Sequence, residues 1–311
     1  MLPALATIPA PPTSGFELGP LDVRFYGILI AIGAYLALLL TIKRYTSYGG
    51  DPAIAERASL LAIVAGLLGA RVGFVLPRLD RFLERPQDLF AIWQGGLAFF
   101  GGLTFGAIAV VWYVHHKSAN LPAMADAVAP GLPLAQAIGR WGNYFNQELY
   151  GRPTDLPWAL AVDPPYRRPG FEGESTFHPT FLYESLWNLG LVAVIIALGR
   201  RGRLRRGSLI FVYAIGAGIG RGWIELLRID TAERYIGLSR NNWVAAAVLL
   251  LGVVGLVWWQ RRGAGDDDAP VEASDVGETE GTPDTSDAGD GARNTAPDGS
   301  DGAPDPDPDE R

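Results

Sequence analysis

The sequence predicts an all-α polytopic membrane protein, because it has long apolar segments, basic clusters on one side of those segments, and an acidic C-terminal region that stands apart from them. Of its 311 residues, 49% are hydrophobic and nine are tryptophan. A helix needs roughly 20 predominantly apolar residues to cross a bilayer. We therefore expect seven transmembrane helices, with a small outer head between helices four and five.

Seven apolar segments are long enough, or nearly long enough, to cross a membrane. The fourth and seventh are short, and the second and sixth carry charge, so their boundaries are approximate. The predicted spans are residues 23–42, 59–76, 91–114, 124–139, 181–198, 207–227 and 243–259.

Lysine and arginine clusters predict the orientation of these spans. Such clusters follow spans one, three, five and seven, and the largest has five arginines within residues 200–206. All four fall on the same side, which the positive-inside rule assigns to the cytoplasm. We therefore expect the N-terminus outside and the C-terminus in the cytoplasm.

The distribution of charge divides the chain into three parts. Residues 265–311 contain 16 acidic residues and two arginines, whereas residues 1–264 carry a net charge of +7. The acidic region has too few large apolar residues to offset the entropy of ordering it. We predict an outer N-terminal segment (1–22), a transmembrane domain (23–262) with its outer head at 139–178, and a disordered acidic cytoplasmic tail (263–311). The basic body suits anionic lipid better than nucleic acid.

The chain has no cysteine. Disulfide bonds, thiolate metal sites, iron–sulfur clusters and a cysteine nucleophile belonging to the protein are therefore excluded. The sequence also lacks clustered His, Asp and Glu at the spacing of metal ligands. We expect neither a metal nor an organic cofactor.

Charged residues inside the spans converge on one depth of the membrane. Arg71 lies 12 residues from the inner start of span two, or about 18 Å, and Arg221 lies 14 residues into span six, or about 21 Å. Glu225 follows Arg221 on the same helix face, so these two can pair. Arg140 ends span four, and Tyr26 and Glu184 lie near the outer ends of spans one and five.

This convergence predicts a functional site in the outer half of the membrane, because ionisable residues within a bilayer are costly. Each residue alone has a structural explanation, since an intrahelical Arg221–Glu225 pair or an Arg71 that snorkels to the surface needs no ligand. The whole set is harder to explain in that way. Arginines at this depth would suit a lipid phosphate, because guanidinium donors match phosphate oxygens.

A polar motif follows the fourth span. Residues 139–151 read GRWGNYFNQELYG, which resembles the signature G-R-x-G-N-[FY]-x-N-x-E-x-x-G of the prolipoprotein diacylglyceryl transferases. Four further stretches resemble that family in the same order along the chain, although Phe181 replaces its usual Gln. They are residues 22–27 (DVRFYG), 69–73 (GARVG), 178–184 (HPTFLYE) and 221–228 (RGWIELLR).

The resemblance implies a reaction. It implies transfer of the diacylglyceryl group from phosphatidylglycerol to the lipobox cysteine thiol of a prolipoprotein signal peptide, with release of glycerol-1-phosphate, at the bacterial cell (inner) membrane. The nucleophile would belong to the substrate, so a cysteine-free enzyme is no obstacle.

The same resemblance implies the roles of individual residues. Arg140 and Arg221 would hold the phosphate, Glu225 would fix Arg221, and Tyr26 would help to position the thiol. The catalytic set is then Arg140, Arg221, Tyr26, Asn143, Glu148 and Glu225. The substrate-binding set is Arg140, Asn146, Gly151, Arg71, His178 and Glu184.

One position departs from the family. Many members have a histidine before paired glycines in span three, where it is favoured as a catalytic base, and this chain has Phe100 there. His178 is the remaining histidine on the outer side, but Pro179 beside it suggests a role in capping span five.

Two other functions are compatible with part of the pattern. A membrane transporter or channel for an anionic solute would also contain buried Arg and Glu, but the sequence has no internal repeat and no second polar cluster toward the cytoplasm. A scaffold protein with a surface head would leave the convergent arginines unexplained.

Overall fold

The computed structural model describes residues 7–19, 21–90, 95–230 and 234–262, so the predicted tail at 263–311 lies outside the described residues. The described residues are mainly helical. The helices are α1 (Phe25–Ser47), α2 (Pro52–Val75), α3 (Leu79–Glu84), α4 (Phe99–His116), α5 (Leu121–Val128), α6 (Gly131–Phe145), α7 (Thr180–Arg201), α8 (Leu209–Leu227) and α9 (Arg240–Arg261).

Six helical segments among the described residues are long and apolar enough to cross a membrane. Their outward faces carry large apolar side chains, such as Leu68, Ile108 and Leu251, which are 61%, 60% and 69% exposed. Contiguous apolar surface of this extent suits lipid rather than water. The predicted all-α polytopic membrane class is therefore confirmed. The six segments are Phe25–Ser47, Pro52–Glu84, Phe99–His116, Thr180–Arg201, Leu209–Leu227 and Arg240–Arg261.

The prediction of one continuous helix over residues 124–139 is wrong. This stretch is divided between α5 and α6, which are separated by Ala129 and Pro130. Pro130 has no backbone N–H to donate one turn back, and its ring crowds the preceding turn, so the helix is interrupted there. Pro133 lies in the first turn of α6, where a backbone N–H would have no partner within the helix. Helix α6 continues to Phe145, so Arg140 lies within a helix rather than at its end.

The predicted start of the third span at residue 91 also differs from the structure. Helix α4 begins at Phe99, because Gly95 and Gly96 have φ values of 86° and 77°. A right-handed helix cannot run through two residues in the left-handed region. Residues 91–94 lie outside the described residues.

Helices α2 and α4 pack closely through glycine. A Cβ atom at Gly101 would lie 2.2 Å from the carbonyl oxygen of Gly69 and 3.2 Å from the Cα atom of Gly73. Small residues that let backbones approach in this way are typical of helix pairs in membranes. The pairing therefore depends on glycine at these positions.

Replacing Gly101 with alanine is expected to destabilise the protein by about 1–3 kcal/mol, the usual cost of overpacking. Helix propensity acts in the opposite direction, so any loss must come from the contact with Gly69. Gly190→Ala in α7 is the matched control, because a Cβ atom there meets nothing within 4 Å. Thermal unfolding of both variants in detergent checks this, and equal melting temperatures would contradict it.

In the part of the chain that the structure describes, three two-stranded antiparallel sheets lie outside the long helices. Strands β1 (Gly15–Leu18) and β2 (Leu21–Arg24) form a hairpin that leads directly into α1. Strands β3 (Leu160–Ala161) and β4 (Thr176–Phe177) lie between α6 and α7, and β5 (Arg234–Tyr235) and β6 (Leu238–Ser239) precede α9.

The chain between α6 and α7 forms a small head with its own apolar core. Phe181 at the start of α7 completes this core together with four buried residues of the head: Tyr150, Leu160, Val162 and Phe177. The N-terminal segment joins the head, because the Ile8 amide donates to the Ala159 carbonyl at 2.8 Å and the Ala161 amide donates to the Ile8 carbonyl at 2.9 Å. We call the end of the bundle that carries this head the head end.

Candidate active site

The site lies at the head end, where α1 begins, α6 and α8 end, and α7 begins. Antiparallel packing brings these ends together: Ser185 of α7 donates to the carbonyl of Ala137 in α6 at 3.0 Å, and the Trp187 indole of α7 donates to the carbonyl of Gly216 in α8 at 2.9 Å. Polar residues that are distant in the sequence therefore meet at one level.

The signature loop after α6 is held by a network of side chains centred on Glu148. Its Oε1 atom accepts hydrogen bonds from the amide groups of Asn143 at 2.9 Å and Asn146 at 3.0 Å. Gln147 and Leu149 on either side of it have φ values of 50° and 59°. Non-glycine residues in the left-handed region carry backbone strain, which is common at functional sites.

Gly151 closes this loop against the start of α7. Its amide donates to the His178 carbonyl at 3.0 Å, and a Cβ atom at this position would lie 2.8 Å from the Cβ of His178. The glycine is thus needed for close approach of two backbones.

Arg140 connects the loop to helix α7. Its guanidinium donates to the Oδ1 atom of Asn143 at 3.2 Å and pairs with the Glu184 carboxylate at 2.7 Å. The Glu184 side chain is only 8% exposed. A charge buried to this degree is tolerated when it is paired, so Glu184 and Arg140 depend on each other.

A second group of charges lies at the end of α8. Arg221 and Glu225 pair at 3.1 Å, as their i,i+4 spacing predicted. The other oxygen of Glu225 accepts from Asn241 at 2.8 Å and from Ser239 at 3.2 Å, and both of these residues lie at the start of α9. Glu225 pairs with one nitrogen of Arg221, so the remaining N–H donors of the Arg221 guanidinium are available to a ligand.

Arg228 extends this group into the head. Its guanidinium lies 3.8 Å from the Glu225 carboxylate, and its Nε atom donates a hydrogen bond to Oδ1 of Asp230 at 2.8 Å. Burial disfavours the Asp230 carboxylate, but the hydrogen bond and charge of Arg228 outweigh burial and hold the pKa of Asp230 below its ordinary value. Arg228, Asp230, Ser239 and Asn241 were not among the predicted site residues.

The two groups form one electrostatic cluster. Arg221 interacts with Arg228, Glu184, Glu225 and Arg140. Because Arg140 and Glu184 belong to α6 and α7, the cluster spans three helices.

Tyr26 lies beside the cluster in the first turn of α1. Its ring packs against Gly142, where a Cβ atom would lie 2.2 Å from the ring. Glu148 and Arg140 both act electrostatically on the tyrosine hydroxyl. The structure therefore brings Tyr26 together with the predicted loop residues.

Arg71 does not join this cluster. Its guanidinium donates to the backbone carbonyls of Leu89 at 2.8 Å, Gly95 at 2.9 Å and Gly96 at 3.0 Å, and also to that of Asp88. Four of its five N–H donors are therefore used by the chain that precedes α4. Through these contacts Arg71 stabilises the segment that precedes α4.

His178 lies in the head and contacts Tyr183. Its Nδ1 atom is 3.2 Å from the Tyr183 hydroxyl, which also accepts from the Trp158 indole at 2.9 Å. Burial lowers the pKa of the His178 imidazole, so the ring is neutral near pH 7.

An apolar cavity of about 820 Å³ extends from the cluster between the helices. Arg221, Glu184 and Asn241 line it at the head end, and small or aliphatic residues of α4, α8 and α9 line most of the rest. Phe100 also lines this cavity. The position at which the sequence departs from the family that it resembles therefore faces the cavity.

The chemistry of the site follows from this arrangement. Arginine donors at one end of an apolar cavity suit a molecule with one anionic group and long apolar chains. Among the described residues, no group of three or more His, Cys, Asp or Glu side chains could hold a metal ion.

Comparison with known proteins agrees with this geometry. The family model described as prolipoprotein diacylglyceryl transferase matches residues 14–258. A phosphatidylglycerol–prolipoprotein diacylglyceryl transferase of Streptomyces griseus is 43% identical over 81% of this chain and 78% of its own length.

Two further relatives have the same name. One from Frankia alni is 42% identical over 88% of this chain and 72% of its own length. Another, numbered 2, from Streptomyces coelicolor is 41% identical over 90% of this chain and 94% of its own length. The chain therefore belongs to the prolipoprotein diacylglyceryl transferase family.

Proposed function

We propose that this protein transfers the diacylglyceryl group of phosphatidylglycerol to the lipobox cysteine thiol of prolipoproteins. The observation that carries the proposal is the cavity, in which Arg221 and Glu184 lie at one end of an otherwise mainly apolar space. The names of the relatives specify the same donor lipid and the same class of acceptor. We find no observation that favours a transporter or a channel.

The protein crosses the bacterial inner membrane seven times in this proposal. Six crossings are the continuous helical segments, and the broken pair α5–α6 provides the seventh. Broken helices are tolerated at membrane depth where they are buried in protein, and the two residues that form the break, Ala129 and Pro130, are fully or almost fully buried. The basic clusters support an orientation with the head end outside, where a translocated signal peptide would present its cysteine.

The reaction exchanges one bond to carbon 3 of the lipid glycerol. The sulfur of the substrate cysteine forms a thioether with this carbon while the bond from the carbon to the phosphate oxygen breaks. The electron pair of that bond leaves with glycerol-1-phosphate, which then carries more negative charge, and the thiol proton passes to the phosphate or to water.

Arg140 and Arg221 stabilise the charge that develops on the phosphate. Guanidinium groups fixed in a poorly hydrated site act more strongly than they would in water. Their orientation is supported by the pairs with Glu184 at 2.7 Å and Glu225 at 3.1 Å.

The remaining predicted residues orient the reactants. Asn143, Asn146 and Glu148 bind the glycerol headgroup, and Tyr26 positions the thiol beside Arg140. Gly151 holds the loop that contains them, and the neutral His178 supports the head through Tyr183.

Replacing Phe100 with histidine is expected to change turnover by well under about a hundredfold, which is less than a missing general base usually costs. A cysteine thiol has a pKa of about 8.5, and nearby arginines favour its thiolate without a dedicated base. Turnover of the Phe100→His variant from pH 6 to 9 checks this. A nearly inactive wild type that the histidine rescues would contradict it.

Purified protein in vesicles with labelled phosphatidylglycerol and a lipobox peptide tests the proposal directly. We expect a thioether-linked diacylglyceryl peptide and glycerol-1-phosphate in equal amounts. A peptide with serine in place of the lipobox cysteine is the control and should remain unmodified. The absence of thioether product with the cysteine peptide would overturn the proposal.

A further inference from the structure

A second polar layer lies deeper in the cavity than the charged cluster. Asn188 follows Glu184 by four residues on α7, and Gln136 precedes Arg140 by four residues on α6. Both therefore lie one helical turn, or about 6 Å, farther from the head end. Tyr213 precedes Arg221 by eight residues on α8 and lies about 12 Å deeper than that arginine. All three line the cavity.

Two members of this layer form a hydrogen bond with each other. The Gln136 amide donates to the Tyr213 hydroxyl at 2.7 Å. The Asn188 side chain has no hydrogen-bond partner within the part of the chain that the structure describes, and the residue is only 8% exposed. Its side chain lines the cavity, so a polar group of a ligand in the cavity would complete the hydrogen bonding of the amide.

We propose that Asn188 donates a hydrogen bond from its amide to an ester carbonyl oxygen of the lipid donor. This inference rests on the function proposed above. In a glycerophospholipid, an oxygen, two glycerol carbons and the ester oxygen separate phosphorus from the nearest ester carbonyl carbon. That separation is comparable to the single helical turn between Glu184 and Asn188. With the phosphate at Arg221 and the acyl chains in the apolar cavity, an ester carbonyl lies at the level of Asn188.

The hydrogen bond would determine both specificity and position. A carbonyl oxygen is a good acceptor, whereas an ether-linked lipid has no carbonyl at this place. The same bond fixes the glycerol backbone relative to the arginines, because the two contacts lie on either side of the carbon that reacts. Asn188 is therefore a positioning residue that selects ester-linked donors.

The experiment compares diester and diether phosphatidylglycerol of equal chain length as donors to a lipobox peptide. We expect the wild-type protein to favour the diester by about tenfold in kcat/KM, the usual effect of losing one buried hydrogen bond. The Asn188→Leu variant should lose this preference by becoming slower with the diester alone. Asn188→Ser keeps a donor and should retain part of the preference.

A matched control changes another wall of the same cavity. Val248→Leu alters the apolar lining on α9 and should leave the ratio of the two rates unchanged. Equal use of both lipids by the wild type, or an unchanged ratio in Asn188→Leu, would overturn the inference.

Binding separates this inference from the proposed reaction. Thermal stabilisation of the wild type by each lipid, without peptide, should be greater for the diester, and Asn188→Leu should remove the difference. If no thioether forms with either donor, the proposed reaction fails while the binding result still decides the role of Asn188. A variant that does not fold leaves the wild-type comparison and Asn188→Ser to decide it.

Discussion

Replacing Arg221 with lysine is expected to lower turnover by roughly 10²–10³-fold, the usual effect of removing a fixed donor from a developing negative charge. Lysine keeps the charge but loses the planar fork. A single ammonium cannot hold both Glu225, now 3.1 Å away, and a phosphate oxygen in the same geometry. Steady-state transfer to a lipobox peptide in vesicles measures the loss.

Arg24→Lys is the matched control for this substitution. Arg24 is also at the head end and pairs with Asp22, but both side chains are more than half exposed. Exposed pairs contribute little, so turnover should stay near the wild-type value. If Arg221→Lys retains most of its activity while it folds normally, Arg221 acts only as a point charge.

The Arg140–Glu184 pair should give the largest effect on stability. Glu184→Gln leaves the guanidinium of Arg140 without its buried partner, and breaking such a pair typically costs about 3–5 kcal/mol. We expect a lower melting temperature and loss of most activity. The double variant Arg140→Gln with Glu184→Gln removes both charges and should recover much of the stability.

Activity should not recover in the double variant, because the phosphate would still lack Arg140. Thermal unfolding and turnover of the two single variants and the double variant form a double-mutant cycle. Glu17→Gln in the exposed strand β1 is the control and should match the wild type. Recovery of turnover together with stability would contradict a catalytic role for Arg140.

The sequence was most informative where apolar length alone decides the structure. Helices α7, α8 and α9 agree with the predicted spans to within three residues at each end, because the membrane imposes their length and composition. It was less informative where backbone conformation intervenes. Gly95 and Gly96 delay the start of α4, and Pro130 divides the fourth span. Neither effect changes the mean hydropathy along the sequence enough to reveal where a helix begins or breaks.

The same division holds for the site. The Arg221–Glu225 pair follows from helical spacing and is confirmed. The pairing of Arg140 with Glu184 joins two helices and could not be read from spacing. Arg71 shared a depth with the other arginines, but its donors meet the backbone of the chain before α4. Depth along a helix gives no information about the direction in which a side chain points.

Arg228 could have been found, because it completes the R-x-x-x-E-x-x-R pattern of residues 221–228. Asn241 had a weaker signal, as an amide at the entrance of an apolar span. Its bond to Glu225 at 2.8 Å depends on the loop between α8 and α9, which sequence spacing does not define.

The construction of the head has a consequence for biosynthesis. The Arg152 amide donates to the carbonyl of Leu227 at 2.9 Å, and Gly151 pairs with Arg228, so the head obtains part of its framework from the end of α8. Chains emerge from the ribosome at about 5–20 residues per second, and the signature loop is therefore complete several seconds before its partner is made. A nascent chain or a prematurely terminated fragment that stops before α8 has neither Arg221 nor this framework. Competence to react with lipid is thus postponed until nearly the whole membrane domain has been synthesised.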